Sequence, residues 1–66
     1  MKIQFNGEHT DIDGPISLGE LLARRADLPE NFAVAINETF VPRAAYDDTP
    51  VAEGDQVELV VPMQGG

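Results

Sequence analysis

Sixty-six residues without a cysteine make one small domain that cannot be stapled by disulfides, carries no thiolate nucleophile and offers no Cys-based zinc site. Four Lys and Arg against twelve Asp and Glu give a formal net charge of -8, which repels phosphate backbones and anionic bilayers, so no nucleic acid and no membrane is expected as a partner. His9 is the only histidine, too few groups for a metal site or a catalytic triad, and it is read as an exposed strand residue without a role.

With 42% hydrophobic residues the chain has enough apolar material for a core, and that material alternates regularly. Lys2, Ile3, Gln4 and Phe5 alternate polar and apolar, Asn6-Gly7 follows, and 8–12 is again extended in character. Asn-Gly favours a type I′ turn, whose two central residues need positive φ, so an antiparallel hairpin is expected. Gly14-Pro15 breaks the second strand. Ser17, with Glu20 three residues later, reads as a capping box, and Ile16 and Leu21 are spaced for the accompanying hydrophobic staple. Leu18, Leu21, Leu22 and Arg25 share one helical face, which predicts a helix of two to three turns running to near Ala26 before Leu28-Pro29 ends it.

The segment 32–36 predicts a third strand with Val34 and Ile36 on one face and Ala33 and Ala35 on the other, where the small side chains leave room for something to approach. Asn37-Glu38 turns the chain into Thr39, Phe40 and Val41, and Pro42 closes that strand. Residues 43–50 read as loop, and Glu53-Gly54-Asp55 is turn chemistry. The last strand, 56–61, places Val57, Leu59 and Val61 toward the core and Glu58 and Val60 on the open side. Strand, strand, helix, strand, strand, strand predicts an α+β domain: a β-grasp, with a mixed sheet of four to five strands and one main helix packed on one face. One domain, 1–66, accounts for the whole chain. With no apolar run of membrane-spanning length and no secretory signal at Met1-Lys2-Ile3, a cytoplasmic location is expected.

After the last strand come Pro62, Met63, Gln64 and the pair Gly65-Gly66. Two glycines let a main-chain carboxylate enter a crevice too narrow for any other residue pair, and the ordinary alternative is a frayed tail. Residues 63–66 are expected to be a mobile, solvent-exposed tail in the free protein, ordered only by partners. Phe40, Val60 and Met63 are the candidate partner contacts, forming a small apolar patch rimmed by acidic residues that steer a basic surface toward it. The acidic residues Asp11, Asp13, Asp47, Asp48, Glu53 and Asp55 fall in turn and edge contexts where solvation explains them. No pair is arranged for acid and base catalysis, and an enzyme is not expected.

Read together, Ile3-Gln4-Phe5-Asn6-Gly7, Leu18-Gly19-Glu20-Leu21-Leu22, Ala33-Val34-Ala35-Ile36-Asn37 with Val41-Pro42-Arg43, and Gly54-Asp55-Gln56-Val57-Glu58-Leu59 leading to Gly65-Gly66 resemble the small bacterial sulfur-carrier proteins of thiamine biosynthesis, the ThiS family. That family belongs to the ubiquitin-like β-grasp superfamily. Tyr46 stands in a stretch where the family is associated with tryptophan, and a ring is retained. The resemblance implies that Gly66 is the sulfur-carrying residue, its carboxylate adenylated and then converted to a thiocarboxylate, and that Gly65 is required for activation. It also implies no bound cofactor, ATP being used by the activating partner. The implied partners are a ubiquitin-activating-enzyme-like adenylyltransferase, a sulfur donor relay such as a cysteine desulfurase, and thiazole synthase as the acceptor. The residues agree in one respect: an inert carboxylate needs a leaving group, and no Gly-rich phosphate cradle occurs in this chain to supply one.

Two other carriers share the tail. The small subunit of molybdopterin synthase is similar in fold, Gly-Gly end and thiocarboxylate chemistry, but its members are usually longer. A ubiquitin-like modifier would use the same tail to form isopeptide bonds with lysines. A pure interaction module, with no reaction at its glycines, is the remaining alternative.

Overall fold

A mixed five-stranded sheet organises the computed structural model, which describes residues 1–26 and 28–61. In chain order the strands are β1 (Lys2–Phe5), β2 (Glu8–Asp11), β3 (Ile16–Ser17), β4 (Ala33–Ile36), β5 (Thr39–Val41), β6 (Pro50–Val51) and β7 (Gln56–Val60). The main sheet runs β2-β1-β7-β4-β5, and β3 pairs with β6 in a separate two-stranded ladder. Its centre is the parallel pair β1–β7, in which Phe5 lies beside Val57, and every other pairing is antiparallel. This is the expected β-grasp arrangement, with five strands in the main sheet.

Both hairpins follow from their turn residues. Asn6 (φ 53) and Gly7 (φ 83) occupy the left-handed region that a type I′ turn demands, and so do Asn37 (φ 51) and Glu38 (φ 68) between β4 and β5. Glycine adopts this conformation freely and asparagine tolerates it, whereas glutamate pays a steric cost there.

The helix α1 (Leu18–Ala23) is shorter than the leucine spacing predicts. It starts as expected, with the Glu20 N–H donating to Ser17 Oγ at 3.1 Å. It stops at Arg24, whose N–H is shared between the Glu20 and Leu21 carbonyls, and the next amide, Arg25, bonds Leu22. Those i to i−3 bonds tighten the last turn into 3₁₀ geometry, so the helical pitch is lost before Ala26. Leu18, Leu21 and Leu22 are nonetheless buried, each contributing about 2 kcal/mol of apolar burial. Arg25 shares their face as predicted, with its guanidinium 4.3 Å from the centroid of the Phe5 ring.

A six-residue helix covers only part of the sheet, and the rest of that layer comes from a region expected to be loop. Residues Arg43–Asp48 form a 3₁₀ helix, and Ala45 and Tyr46 from it pack against the core. The 3₁₀ helix lies against α1, where the Asp47 side chain approaches Gly19 so closely that a β-carbon at Gly19 would meet its Oδ1. The β3–β6 ladder closes this layer, helped by the Leu18 N–H donating to the Thr49 carbonyl at 2.7 Å. The core between the layers consists of Ile3, Phe5, Ile12, Leu18, Leu21, Leu22, Val34, Val41, Val51 and Val57.

Val61 departs from the expected alternation. It was to share the core with Val57 and Leu59, yet it is 56% exposed. The ladder ends one residue earlier, where Val60 pairs with Ala33, the first residue of β4, so no strand remains beside Val61 to hold it on the core face.

Candidate functional site

Among the described residues nothing covers the face of the sheet away from α1, and strand register determines what it displays. Val34 pairs with Leu59 and Val41, and Ile36 with Val57, all toward the core side. Alternation then puts Ala33 and Ala35 of β4, Phe40 of β5, and Gln56, Glu58 and Val60 of β7 on the open side. Phe40 is 64% exposed and Val60 54%.

These residues form one patch. Ala35 pairs with Phe40 on one side and Glu58 on the other, and Ala33 pairs with Val60. Phe40 and Val60 therefore stand diagonally across the alanine column, two strand spacings sideways and two residues along, about 12 Å apart. The alanines make a low floor between two apolar walls. Larger residues there would fill the floor and leave a flat surface. Val60 is also the last residue of β7, so the patch adjoins the point at which the chain leaves the sheet toward its glycines. Of the predicted site residues, Phe40 and Val60 are thus brought to one surface. Met63, Gly65 and Gly66 lie outside the described residues, as does the expectation that 63–66 form a mobile tail.

The strand that leads to the tail is held from both sides by asparagine side chains, a feature the sequence reading missed. On the β4 side, Asn37 Oδ1 accepts the Gln56 N–H at 3.0 Å, the Asn37 N–H donates to the Gln56 carbonyl at 2.8 Å, and Asn37 Nδ2 donates to Asp55 Oδ1 at 3.0 Å. On the β1 side, the Asn6 N–H donates to the Val57 carbonyl and Asn6 Oδ1 accepts the Leu59 N–H, both at 2.8 Å. In each case the neighbouring strand has turned away, and the side-chain carbonyl takes the place of the missing backbone one. The available signal was an asparagine at each hairpin turn, since Asn both tolerates positive φ and carries an amide able to imitate the backbone.

Two of the acidic residues assigned to solvation do more than that. Asp55 accepts from Asn37 through one oxygen and from the Ala52 N–H at 2.8 Å through the other, and Glu53 Oε2 accepts the Lys2 N–H at 3.1 Å. Both fasten the turn that feeds β7. Asp47 is exposed, with its side chain beside Gly19. Among the described residues no group of three or more His, Cys, Asp or Glu side chains is placed to hold a metal ion, and no helix is long and apolar enough to cross a membrane. His9 is exposed on β2.

Comparison with known proteins gives one consistent result. The sequence profile of the ThiS family matches residues 3–66. The crystal structure of a thiamine biosynthesis protein (ThiS) from Geobacter metallireducens superimposes with a TM-score of 0.84 at 35% identity, each chain covered in full. The solution structure of a thiamine biosynthesis protein from the same organism gives 0.73 at 31% identity, over all of this chain and 88% of that one. An uncharacterized protein, ycf40, of Porphyra purpurea is 33% identical over all of this chain and 93% of its own length. A thiazole synthase of Magnetococcus marinus is 36% identical over all 66 residues, and the matched segment is 20% of that enzyme's length.

Proposed function

The chain belongs to the ThiS family, and from that membership we propose that it is a cytoplasmic sulfur carrier for thiazole formation in thiamine biosynthesis, a co-substrate of partner enzymes and not itself a catalyst. The carboxylate of Gly66 attacks the α-phosphate of ATP on an adenylyltransferase related to ubiquitin-activating enzymes, releasing pyrophosphate and leaving an acyl-adenylate. A donor relay such as a cysteine desulfurase supplies a persulfide, whose terminal sulfur displaces AMP to give an acyl disulfide; a thiol reductant then cleaves the S–S bond, leaving a thiocarboxylate on Gly66 and a disulfide on the donor side, and the thiocarboxylate is consumed by thiazole synthase. Gly65 keeps the last two residues narrow enough to reach the activating phosphate.

The observation that carries this reading is the extent of the family match, which runs through the terminal glycines. The patch of Phe40, Ala33, Ala35 and Val60 supports it, because an apolar surface beside the exit of the tail lets a partner grip the fold while the terminus enters its active site. A net charge of -8 favours encounter with a basic partner surface. The thiazole synthase of Magnetococcus marinus that contains a segment similar to this whole chain favours thiazole synthase over a pterin-modifying enzyme as the acceptor.

Intact-mass measurement after incubation with ATP, the adenylyltransferase and a sulfide source tests the proposal. The chain should gain about 16 mass units, sulfur replacing oxygen. A chain extended by one alanine should gain nothing, because its carboxylate is displaced by about 3.5 Å from the activating phosphate. Thiocarboxylate formation by the extended chain at the normal rate would overturn the placement of the chemistry on Gly66.

A further inference from the structure

Every bond along the β1 side of β7 except one is made by backbone. β1 pairs with β7 only at Gln4–Gln56 and Phe5–Val57, and its N–H groups continue the ladder at Gln4 to Asp55 and Asn6 to Val57. At Asn6 the chain turns back toward β2, and the next amide on that edge of β7, Leu59, faces a strand that is no longer there. Asn6 Oδ1 meets it at 2.8 Å. Leu59 is the residue before Val60, the last of the strand.

We propose that Asn6 is a positioning residue for the reactive tail: its side-chain carbonyl holds the Leu59 amide and so fixes the direction in which the chain leaves the sheet. The proposal rests on the carrier reading given above and adds a role to a residue distant in sequence from the terminus. Beyond Val60 the main sheet provides no further partner in the described register, so the orientation of the strand end is set by its last fastened positions, Leu59 on one edge and the Ala33–Val60 pair on the other. With Asn6 Oδ1 absent, one edge is unfastened two residues earlier, at the bond from the Asn6 N–H to the Val57 carbonyl, and the strand end at Leu59 and Val60 gains angular freedom. Asn37 is the internal contrast. It makes the equivalent side-chain bond at the opposite end of β7, to Gln56, where the same loss loosens the strand without changing the exit of the tail.

Asn6→Gly isolates the bond, because glycine keeps the left-handed turn that Asn6 adopts at φ 53 while deleting the acceptor. Asn6→Asp keeps both the turn and an acceptor oxygen. Kinetics of adenylate formation, measured by ATP–pyrophosphate exchange with the adenylyltransferase, are compared with amide exchange read residue by residue. Asn6→Gly should speed exchange at Leu59 and lower kcat about tenfold with KM for the carrier nearly unchanged, since the docking patch is intact and only alignment is lost. Asn6→Asp should restore kcat, and Asn37→Gly should leave it unchanged while speeding exchange at Gln56. Should Asn6→Gly fail to fold, a synthetic chain with an ester in place of the Leu59 amide removes the donor and gives the same reading. Wild-type kcat in Asn6→Gly, or an equal loss of kcat in Asn37→Gly, would overturn the positioning role while leaving the carrier reading standing. A wild-type chain that supports no exchange at all would overturn the carrier reading and this proposal with it.

Discussion

Val57 and Val60 are three residues apart on one strand and have opposite fates. Val57 is fully buried beside Phe5 in the parallel pair at the centre of the sheet, whereas Val60 is 54% exposed beside Ala33 on the open face. The side chains are identical, so the difference comes entirely from the two-residue period of the strand and from what covers each face. It teaches that this small domain keeps its core and its exposed apolar patch on separate surfaces. One face of the sheet holds the core, and the other presents Phe40 and Val60 across a floor of alanines without contributing to it.

The strongest way to break that comparison is on the core face. Phe5→Ala removes a ring that is 2% exposed and carries the Arg25 guanidinium, and should cost about 3–5 kcal/mol, comparable with all that a core of this size supplies. Circular dichroism should find the variant largely unfolded at 25 °C. Persistence of a cooperative transition at the wild-type temperature would show that the core is not where the packing places it. On the open face, Val60→Asp should weaken binding to the adenylyltransferase about tenfold by calorimetry, as expected for an apolar anchor at an interface, and shift Tm by no more than about 3 °C. Unchanged affinity would remove the patch from the mechanism. The smallest effect sharpens the frame common to both faces: Glu38→Gly relieves a side chain held at φ 68 and should stabilise the domain by about 0.5–1 kcal/mol. Equilibrium denaturation by urea would measure it, and a loss of stability would mean that Glu38 makes a contact worth more than its strain.

Most of the fold was legible because its signals are local. Asn6-Gly7, Ser17 with Glu20, and the alternation at 2–5 and 56–60 each specify geometry within a few residues, and the structure follows them. The 3₁₀ helix of Arg43–Asp48 was not legible, because its formation depends on packing Ala45 and Tyr46 against a core assembled from distant strands. The end of α1 was missed because Arg25 keeps helical spacing with the leucines, while the Arg24 and Arg25 amides tighten the last turn with bonds to Leu21 and Leu22 that the spacing does not reveal. Within the candidate site, the exposure of Val60 was readable from alternation and that of Val61 was not, because the end of β7 depends on where β4 begins. The asparagine clamps required knowledge of which strand neighbours which. Asn6 and Asn37 reach residues 53 and 19 positions away, and only the topology brings them there.

The central claim is that the chemistry resides on one carboxylate at the end of this fold. Fragmentation mass spectrometry of the chain after reaction with ATP, the adenylyltransferase and sulfide tests it most directly. The account predicts that the oxygen-to-sulfur exchange, about 16 mass units, is found in the fragments containing Gly66 and in no others. Sulfur located elsewhere in the chain, or no sulfur in the fragments containing Gly66, would contradict it.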